Sequence, residues 1–292
     1  MFGRILMTLG LAMLLAAPAH AGFGLVLPDS PIVDDPEKTS LNLVICAIDP
    51  ATGAGIPIER PQVFTALRYS GDNMDRSEHL SVLDEVVAYG ARAWTTNISL
   101  PHPGVYQLVM QTKAGWVPEQ DQYVTKVQIP AYGSAEGWDK PANISFEISP
   151  LSRPFGLCSG MAFSGQALFD GTPIPGALID VARLDPAIKP NVAQPEDPNA
   201  PPQDDKAQPK AKKQDKQPTP QPISAFGATQ QVKADSQGVF TFVCPLPGWW
   251  AFSTSMAGDP LQDPEGKQKP LEIKTIFWVY MNDCPKTAPS KK

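Results

Sequence analysis

Histidine is scarce, with three in 292 residues, and the four cysteines show no C-x-x-C spacing. The first shortage removes the usual base-plus-ligand arrangements of hydrolases, and the second argues against a thiol oxidoreductase and a zinc ribbon. No G-x-S-x-G, H-E-x-x-H or glycine-rich phosphate loop occurs, so nucleophile-elbow, zincin and nucleotide chemistries have no anchor. Adjacent carboxylates such as Asp34 with Asp35, or Asp84 with Glu85, point to opposite faces of a strand and make no acid/base pair by themselves. The expectation is a protein that is not an enzyme. Basic residues cluster only at Lys210, Lys212, Lys213 and Lys216, among Asp204, Asp205 and Asp215 and without interleaved aromatics. With a formal net charge of −6, nucleic acid is not an expected partner.

Long apolar runs are also missing, apart from one. Arg4 precedes an apolar stretch over residues 5–17, followed by Pro18-Ala19-His20-Ala21. That is the pattern of a secretory signal peptide with a small-x-small cleavage site after Ala21, and the run is shorter than the roughly 20 residues of a spanning helix. The expectation is a chain that begins at Gly22, works in the periplasm or outside the cell, and is at most peripheral to a membrane. Without residues 1–21 it carries 23 basic against 30 acidic residues.

An oxidising compartment and an even cysteine count favour disulfides. Cys46, Cys158, Cys244 and Cys284 allow three pairings. Cys158 and Cys244 both lie in strand-like segments of the second half, so Cys158 with Cys244 is the preferred bridge, which leaves Cys46 with Cys284.

Short runs of β-branched and aromatic residues punctuated by proline, glycine and aspartate fill the first half. Residues 41–48, 63–69, 93–100, 105–110, 123–129 and 144–148 have strand length and partial alternation. Residues 78–88 have a helix-like composition and are read as extended. Pro101-His102-Pro103-Gly104 has turn composition and is expected to close a hairpin between its flanking strands, as in immunoglobulin-like sandwiches. Pro150-Leu151-Ser152-Arg153-Pro154 marks a boundary, since two prolines around a short polar stretch resist helix and central strand alike.

Beyond it, residues 163–181 read as two strands around a tight turn, and their partner segment, 234–242, comes some fifty residues later. Residues 186–222 between them hold ten prolines and no aromatic residue, a composition that cannot offset its ordering entropy by burial. The fold expected is all-β: a signal peptide (1–21), an N-terminal β-sandwich module (22–150) and a C-terminal one (151–292). Both modules are of immunoglobulin-like or transthyretin-like kind, and the second is split by a disordered proline-rich insert (186–222).

Several segments together resemble the DUF4198 family: Gly22-Phe23-Gly24-Leu25-Val26-Leu27-Pro28, Arg92-Ala93-Trp94, Pro103-Gly104-Val105-Tyr106, Glu136-Gly137-Trp138-Asp139, Pro150-Leu151-Ser152-Arg153-Pro154-Phe155-Gly156-Leu157 and Pro247-Gly248-Trp249-Trp250. The resemblance spans the mature chain outside the insert. It implies periplasmic accessory subunits of energy-coupling-factor type nickel and cobalt transporters, with membrane metal-transporter subunits as partners and Ni(II) or Co(II) as cargo. Relatives begin the mature chain His-Phe-Gly, so that terminal amine and imidazole chelate one ion; Gly22 stands at that position here.

The metal candidates are therefore Gly22, through its amine and following amides, and the two remaining histidines, since imidazole suits Ni(II) and Co(II). His79 follows Asp72, Met74, Asp75 and Glu78, while His102 sits in the proline turn. A second class of reading is a binding or structural module that recognises a carbohydrate, a peptide or a surface partner through tryptophans. Trp249 and Trp250 are adjacent, so a strand sends one inward and one outward, and Trp116 and Trp138 stand beside glycines near acidic residues.

Overall fold

The computed structural model describes residues 22–49, 53–115, 121–184, 190–195, 229–262 and 265–284. The first half supplies β1 (Phe23–Pro28), β2 (Ser40–Ile48), β3 (Gly55–Ile56), β4 (Val63–Ser70), β5 (Asn73–Glu78), β6 (Asp84–Ala88), β7 (Ala91–Ser99), β8 (Gly104–Gln111) and β9 (Asp121–Ala131). The second supplies β10 (Phe146–Pro150), β11 (Leu157–Cys158), β12 (Ala162–Phe169), β13 (Thr172–Pro173), β14 (Leu178–Leu184), β15 (Gln230–Lys233), β16 (Val239–Val243), β17 (Gly248–Gln262) and β18 (Gln268–Asn282). The chain is all-β and folds as sandwich modules. The 78–88 stretch is extended at both ends, with a single 3-10 turn at Leu80–Val82 between β5 and β6.

Three sheets build the modules. One has the order β1-β2-β7-β6, with β3 on β2; one has the order β10-β12-β13, with β16 on β12. Between them lies a nine-stranded sheet, β15-β14-β17-β18-β9-β8-β4-β5, with β11 on the end of β18. Strands from both halves share this middle sheet, because β9 runs parallel to β18 from Asp121↔Glu272 to Val127↔Trp278. Parallel neighbours need a long crossover, and here everything from β10 to β17 is that crossover.

Side-chain alternation along the shared strands feeds two cores. Ala182, Leu184, Trp249, Ala251, Ile276 and Trp278 face the β1-β2-β7-β6 sheet and join Phe23, Leu43, Ile45 and Tyr123 in the first core. Their neighbours Val181, Trp250, Phe252, Phe277 and Val279 face the other way, into a second core with Phe163 and Phe240. A fully buried aromatic or aliphatic side chain contributes about 1.5–3 kcal/mol, so a sheet covered on both faces is the most stabilised part of the molecule.

Local sequence accounts for the joints. Tyr89 and Gly90, at φ 53° and 78°, form the two-residue turn between β6 and β7, where both central residues must be left-handed to match strand twist. The turn composition of residues 101–104 is real, but the hairpin expected there is not. β7 pairs with β2 and β6, whereas β8 pairs with β4 and β9 in the middle sheet. Pro101 and Pro103 cannot donate to a ladder, so the segment arches from one sheet to the other.

The disulfide also differs from the expected pairing: Cys158 bonds Cys284, with Cα atoms 5.4 Å apart. The reason is the short parallel contact that sets Cys158 beside Asn282, two residues before Cys284. Cys46 lies in the first core and Cys244 in the second; both are free, and burial raises each thiol to about 12. Within the insert, residues 190–195 are described, and Ala193 pairs with Val87; the remainder of 186–222 lies outside the described residues.

Candidate binding groove

The metal candidates do not converge. Gly22 is buried, and a Cβ there would stand 2.2 Å from the Tyr123 hydroxyl oxygen and 2.7 Å from Ile56 Cδ1. A side chain where the chain enters β1 would need the tips of Tyr123 and Ile56 to shift. His79 is half-buried at the end of β5, where its backbone N–H donates to Phe64 O at 2.9 Å and its ring sits 6.0 Å from that of Phe64. Its Nε2 lies 2.9 Å from Ser77 Oγ. Burial lowers its pKa below the ordinary 6.5, and Glu78 offsets this in part.

The acids preceding His79 are already engaged. Asp75 pairs with Arg68 at 2.5 Å, Glu78 with Arg76 at 2.7 Å and Asp72 with Lys140 at 3.1 Å, while Asn143 Nδ2 donates to Met74 Sδ at 3.6 Å. His102 is exposed, and its backbone N–H donates to the Tyr106 hydroxyl at 3.0 Å, next to the Arg68–Pro103 bond. His79 thus sits at the Phe64 end of β4 and His102 at the Arg68 end, four residues or about 13 Å away along a strand. One ion does not reach both. Among the described residues no group of three or more His, Cys, Asp or Glu is placed to hold a metal.

The tryptophans behave differently. Trp249 and Trp250 are 7% and 4% exposed, so neither is the outward residue expected from strand alternation. The middle sheet has a core on each face, and each indole enters one of them. Trp250 donates Nε1–H to Leu246 O at 2.9 Å and packs 5.7 Å from Phe242. Trp138 is half-buried and its carbonyl accepts from Gln128 Nε2 at 2.8 Å. Trp116 lies outside the described residues.

Trp249 does reach a surface hollow. It meets Tyr280 edge-on across the β17–β18 register, with centroids 5.1 Å apart, and both line a groove of about 290 Å³. Phe155 and Pro154, from the crossing between β10 and β11, form a second wall. The β1–β2 connection brings Ile32, 41% exposed, to the rim. That connection is pinned to the end of β9 by Val33 N–H to Pro130 O at 3.0 Å and Tyr132 N–H to Val33 O at 2.7 Å.

Two polar features stand out in this apolar groove. Gln128 is 4% exposed, and its Oε1 is buried without a hydrogen-bond partner while its amide nitrogen is held by Trp138. Arg153 is exposed, lies 5.6 Å over the Phe155 ring and has no carboxylate within ion-pair distance among the described residues. No imidazole, thiol or carboxylate lines the groove among the described residues, so its lining fits recognition and supplies no acid/base pair. Two other hollows, of about 310 and 410 Å³, flank the Asn143–Ser145 stretch; neither is lined by a tryptophan.

Arg153, Phe155 and Trp249 were visible in the sequence as parts of motifs. Gln128 and Tyr280 were not: each sits inside a strand, and only the middle-sheet order brings them together. Among solved structures the chain is similar to trypsin-activated alpha-2-macroglobulin from Escherichia coli, at 11% identity and a TM-score of 0.22, covering 90% of this chain and 16% of that one. It is also similar to a marsupial T cell receptor, at 9% identity and a TM-score of 0.21, covering 88% and 73%. No curated protein matches. The family described as domain of unknown function DUF4198 matches residues 17–258, most of the chain, and the protein belongs to that family.

Proposed function

We propose that this chain is an exported accessory protein of nickel or cobalt uptake, non-enzymatic and cleaved after Ala21, that works by contact with a membrane transporter through the Trp249–Phe155 groove. The observation that carries the proposal is the meeting of motifs. The Arg153–Phe155 junction and Trp249, separated in sequence, make one hollow together with Tyr280, with aromatic walls and a cationic lip. Protein contact carries the reading more than cargo binding, because Gly22, His79 and His102 lie apart.

The test is co-purification of the transporter's membrane subunits with the tagged mature chain. Arg153→Glu and Phe155→Ala, both away from the cores, are expected to reduce recovery at least about tenfold, the loss of about 1.4 kcal/mol of binding. Undiminished recovery with both changes would refute the groove as the contact. Calorimetric titration with Ni(II) and Co(II) supplies a separate readout. One-site micromolar binding abolished by His79→Gln would restore a direct cargo role.

The aromatic lining also favours a second reading, recognition of a carbohydrate or peptide by the same groove. Binding to such ligands by a chain that retains no transporter subunit would select it.

A further inference from the structure

The free edge of the β1-β2-β7-β6 sheet is occupied by a piece of the insert. Val87 N–H donates to Ala193 O at 2.8 Å and Ala193 N–H to Val87 O at 3.0 Å, an antiparallel bridge between segments that start in different modules. Both backbone groups of Val87 therefore point away from β7, and by alternation those of Glu85 do too. Toward Tyr89 the edge is closed, since Tyr89 O accepts from Gly55 N–H at 2.9 Å. Toward Glu85 it is open: β6 ends the strand order, and the Ala193 bridge is its one outer pairing among the described residues.

The occupying segment stops after one bridge for a chemical reason. Antiparallel counting from Val87↔Ala193 places Pro195 opposite Glu85, and proline has no N–H to give to the Glu85 carbonyl. Residues 191–195 are all exposed, Val192 at 45%, so no side-chain burial reinforces the contact. Edges covered by a loop are protected from strand addition, and this cover is the weakest that still forms a bridge.

We propose that the β6 edge is a docking site for an extended segment of another protein, and that Asn191–Ala193 is a built-in competitor that a longer strand displaces. The fitting segment runs antiparallel to β6, has a small residue opposite Val87 as Ala193 is, and carries lysine or arginine, with its N–H, opposite Glu85. Charge supports the last choice. Glu85 and Glu59 share the single guanidinium of Arg92, at 3.8 and 3.7 Å, so one cation serves two carboxylates, and an opposite-charge cross-strand pair is stabilising. Main-chain bonds then give affinity and the alternate side chains specificity.

The test uses the full mature chain and a fluorescent peptide copying residues 190–194, followed by lysine in place of Pro195 and two further valines. Ala193→Pro removes the donor and lifts the cover; Pro195→Lys adds the missing rung and locks it. Fluorescence anisotropy is expected to show binding about tenfold tighter to A193P than to the native chain, and about tenfold weaker to P195K, the scale of gaining or losing one or two hydrogen bonds. Exchange of the Val87 amide proton is expected to quicken in A193P and slow in P195K. Equal peptide affinity in all three proteins overturns the proposal. So does an A193P chain that ignores the peptide and dimerises by light scattering, which would make the cover a guard against self-pairing.

Discussion

The two faces of the middle sheet solve different problems. Toward β1-β2-β7-β6 the face is largely apolar, from Leu184 through Trp249 and Trp278 to Tyr123, with a buried Lys274–Asp121 pair at the Tyr123 end, and sheet packs on sheet. The opposite face is apolar over β14, β17 and β18, with Val181, Trp250, Phe252 and Phe277, and in a small patch where Leu67 and Val109 pack on Ala142 and Ile144. Between the two it presents Gln107, Gln122, Lys126 and Gln128, all buried. There the covering layer is the irregular stretch from Gly137 to Ser145, whose backbone has no ladder of its own, with Glu147 of β10 behind it. Gln107 Nε2 donates to Gly137 O at 3.1 Å and Lys140 O at 2.8 Å, Gln128 to Trp138 O, and the Tyr69 hydroxyl to Pro141 O at 2.7 Å. Buried backbone groups must find partners, so a loop laid on a sheet demands polar side chains where another sheet would demand leucine.

The strongest way to break this comparison is at the buried charge pair beneath this loop. Lys126 is bonded to Glu147, lies 4.9 Å over the Phe277 ring, and both side chains are nearly sealed from water, at 2% and 6% exposure. Glu147 Oε1 also accepts the Ala142 N–H at 3.4 Å. Removing one partner of a buried pair costs about 3–5 kcal/mol, while replacing both by apolar residues is near neutral. Glu147→Gln is expected to lower the unfolding free energy by that amount in urea titration, and Lys126→Met with Glu147→Leu to recover most of it. Burial lowers the lysine pKa and Glu147 opposes that shift. Without the carboxylate it falls further, so the deficit of Glu147→Gln is expected to shrink as pH rises toward the ordinary lysine range. A double variant as unstable as the single one would show that the charge itself, rather than its pairing, organises the loop.

A smaller effect is expected at Gln107, fully buried on the polar face. Gln107→Met keeps the volume but removes the donor of the Lys140 carbonyl and leaves Gly137 O only the Lys140 N–H at 3.3 Å, at a cost of about 1–3 kcal/mol. The same change at an apolar position of the other face, Ile276→Met, swaps one hydrophobe for another and is expected to cost less than about 1.5 kcal/mol. Equal costs at the two positions would mean that the loop relaxes to water and the contrast between the faces is cosmetic.

This contrast also explains which parts of the molecule could be read in the sequence. β2, β4, β7 and β8 announced themselves through β-branched runs between turn residues, since strand length and local breakers are properties of neighbours in the chain. Pairing is not. Pro101-His102-Pro103-Gly104 gave a turn without saying that its flanks enter different sheets, and Cys158 found Cys284, 126 residues away, through a two-residue parallel contact with no local signal. The Trp249-Trp250 pair misled because alternation predicts an outside, and a sheet with two cores has none there. For the groove, the motif residues Arg153, Phe155 and Trp249 were legible, whereas Tyr280 looked like an ordinary strand position until the β17–β18 register set it beside Trp249.

His79 gives the gentlest probe, at the margin of the same sheet where β5 leaves it. Its folded pKa lies below the ordinary 6.5 because burial beside Phe64 disfavours the imidazolium more than Glu78 favours it. A depressed folded pKa means the unfolded chain takes up the proton first. The stability contributed by neutral His79 is therefore complete above about pH 6.5 and drains away as pH falls through the folded value. Urea midpoints of the native chain and of His79→Gln, which keeps a polar partner for Ser77, are expected to run parallel above pH 7. Below it the native chain is expected to lose stability faster, by a few tenths of a kcal/mol to about 1 kcal/mol for a surface-proximal group. Parallel curves down to pH 5 would mean that the ring is solvated in both states, and the polar margin of the sheet would then begin one strand further in, at β4.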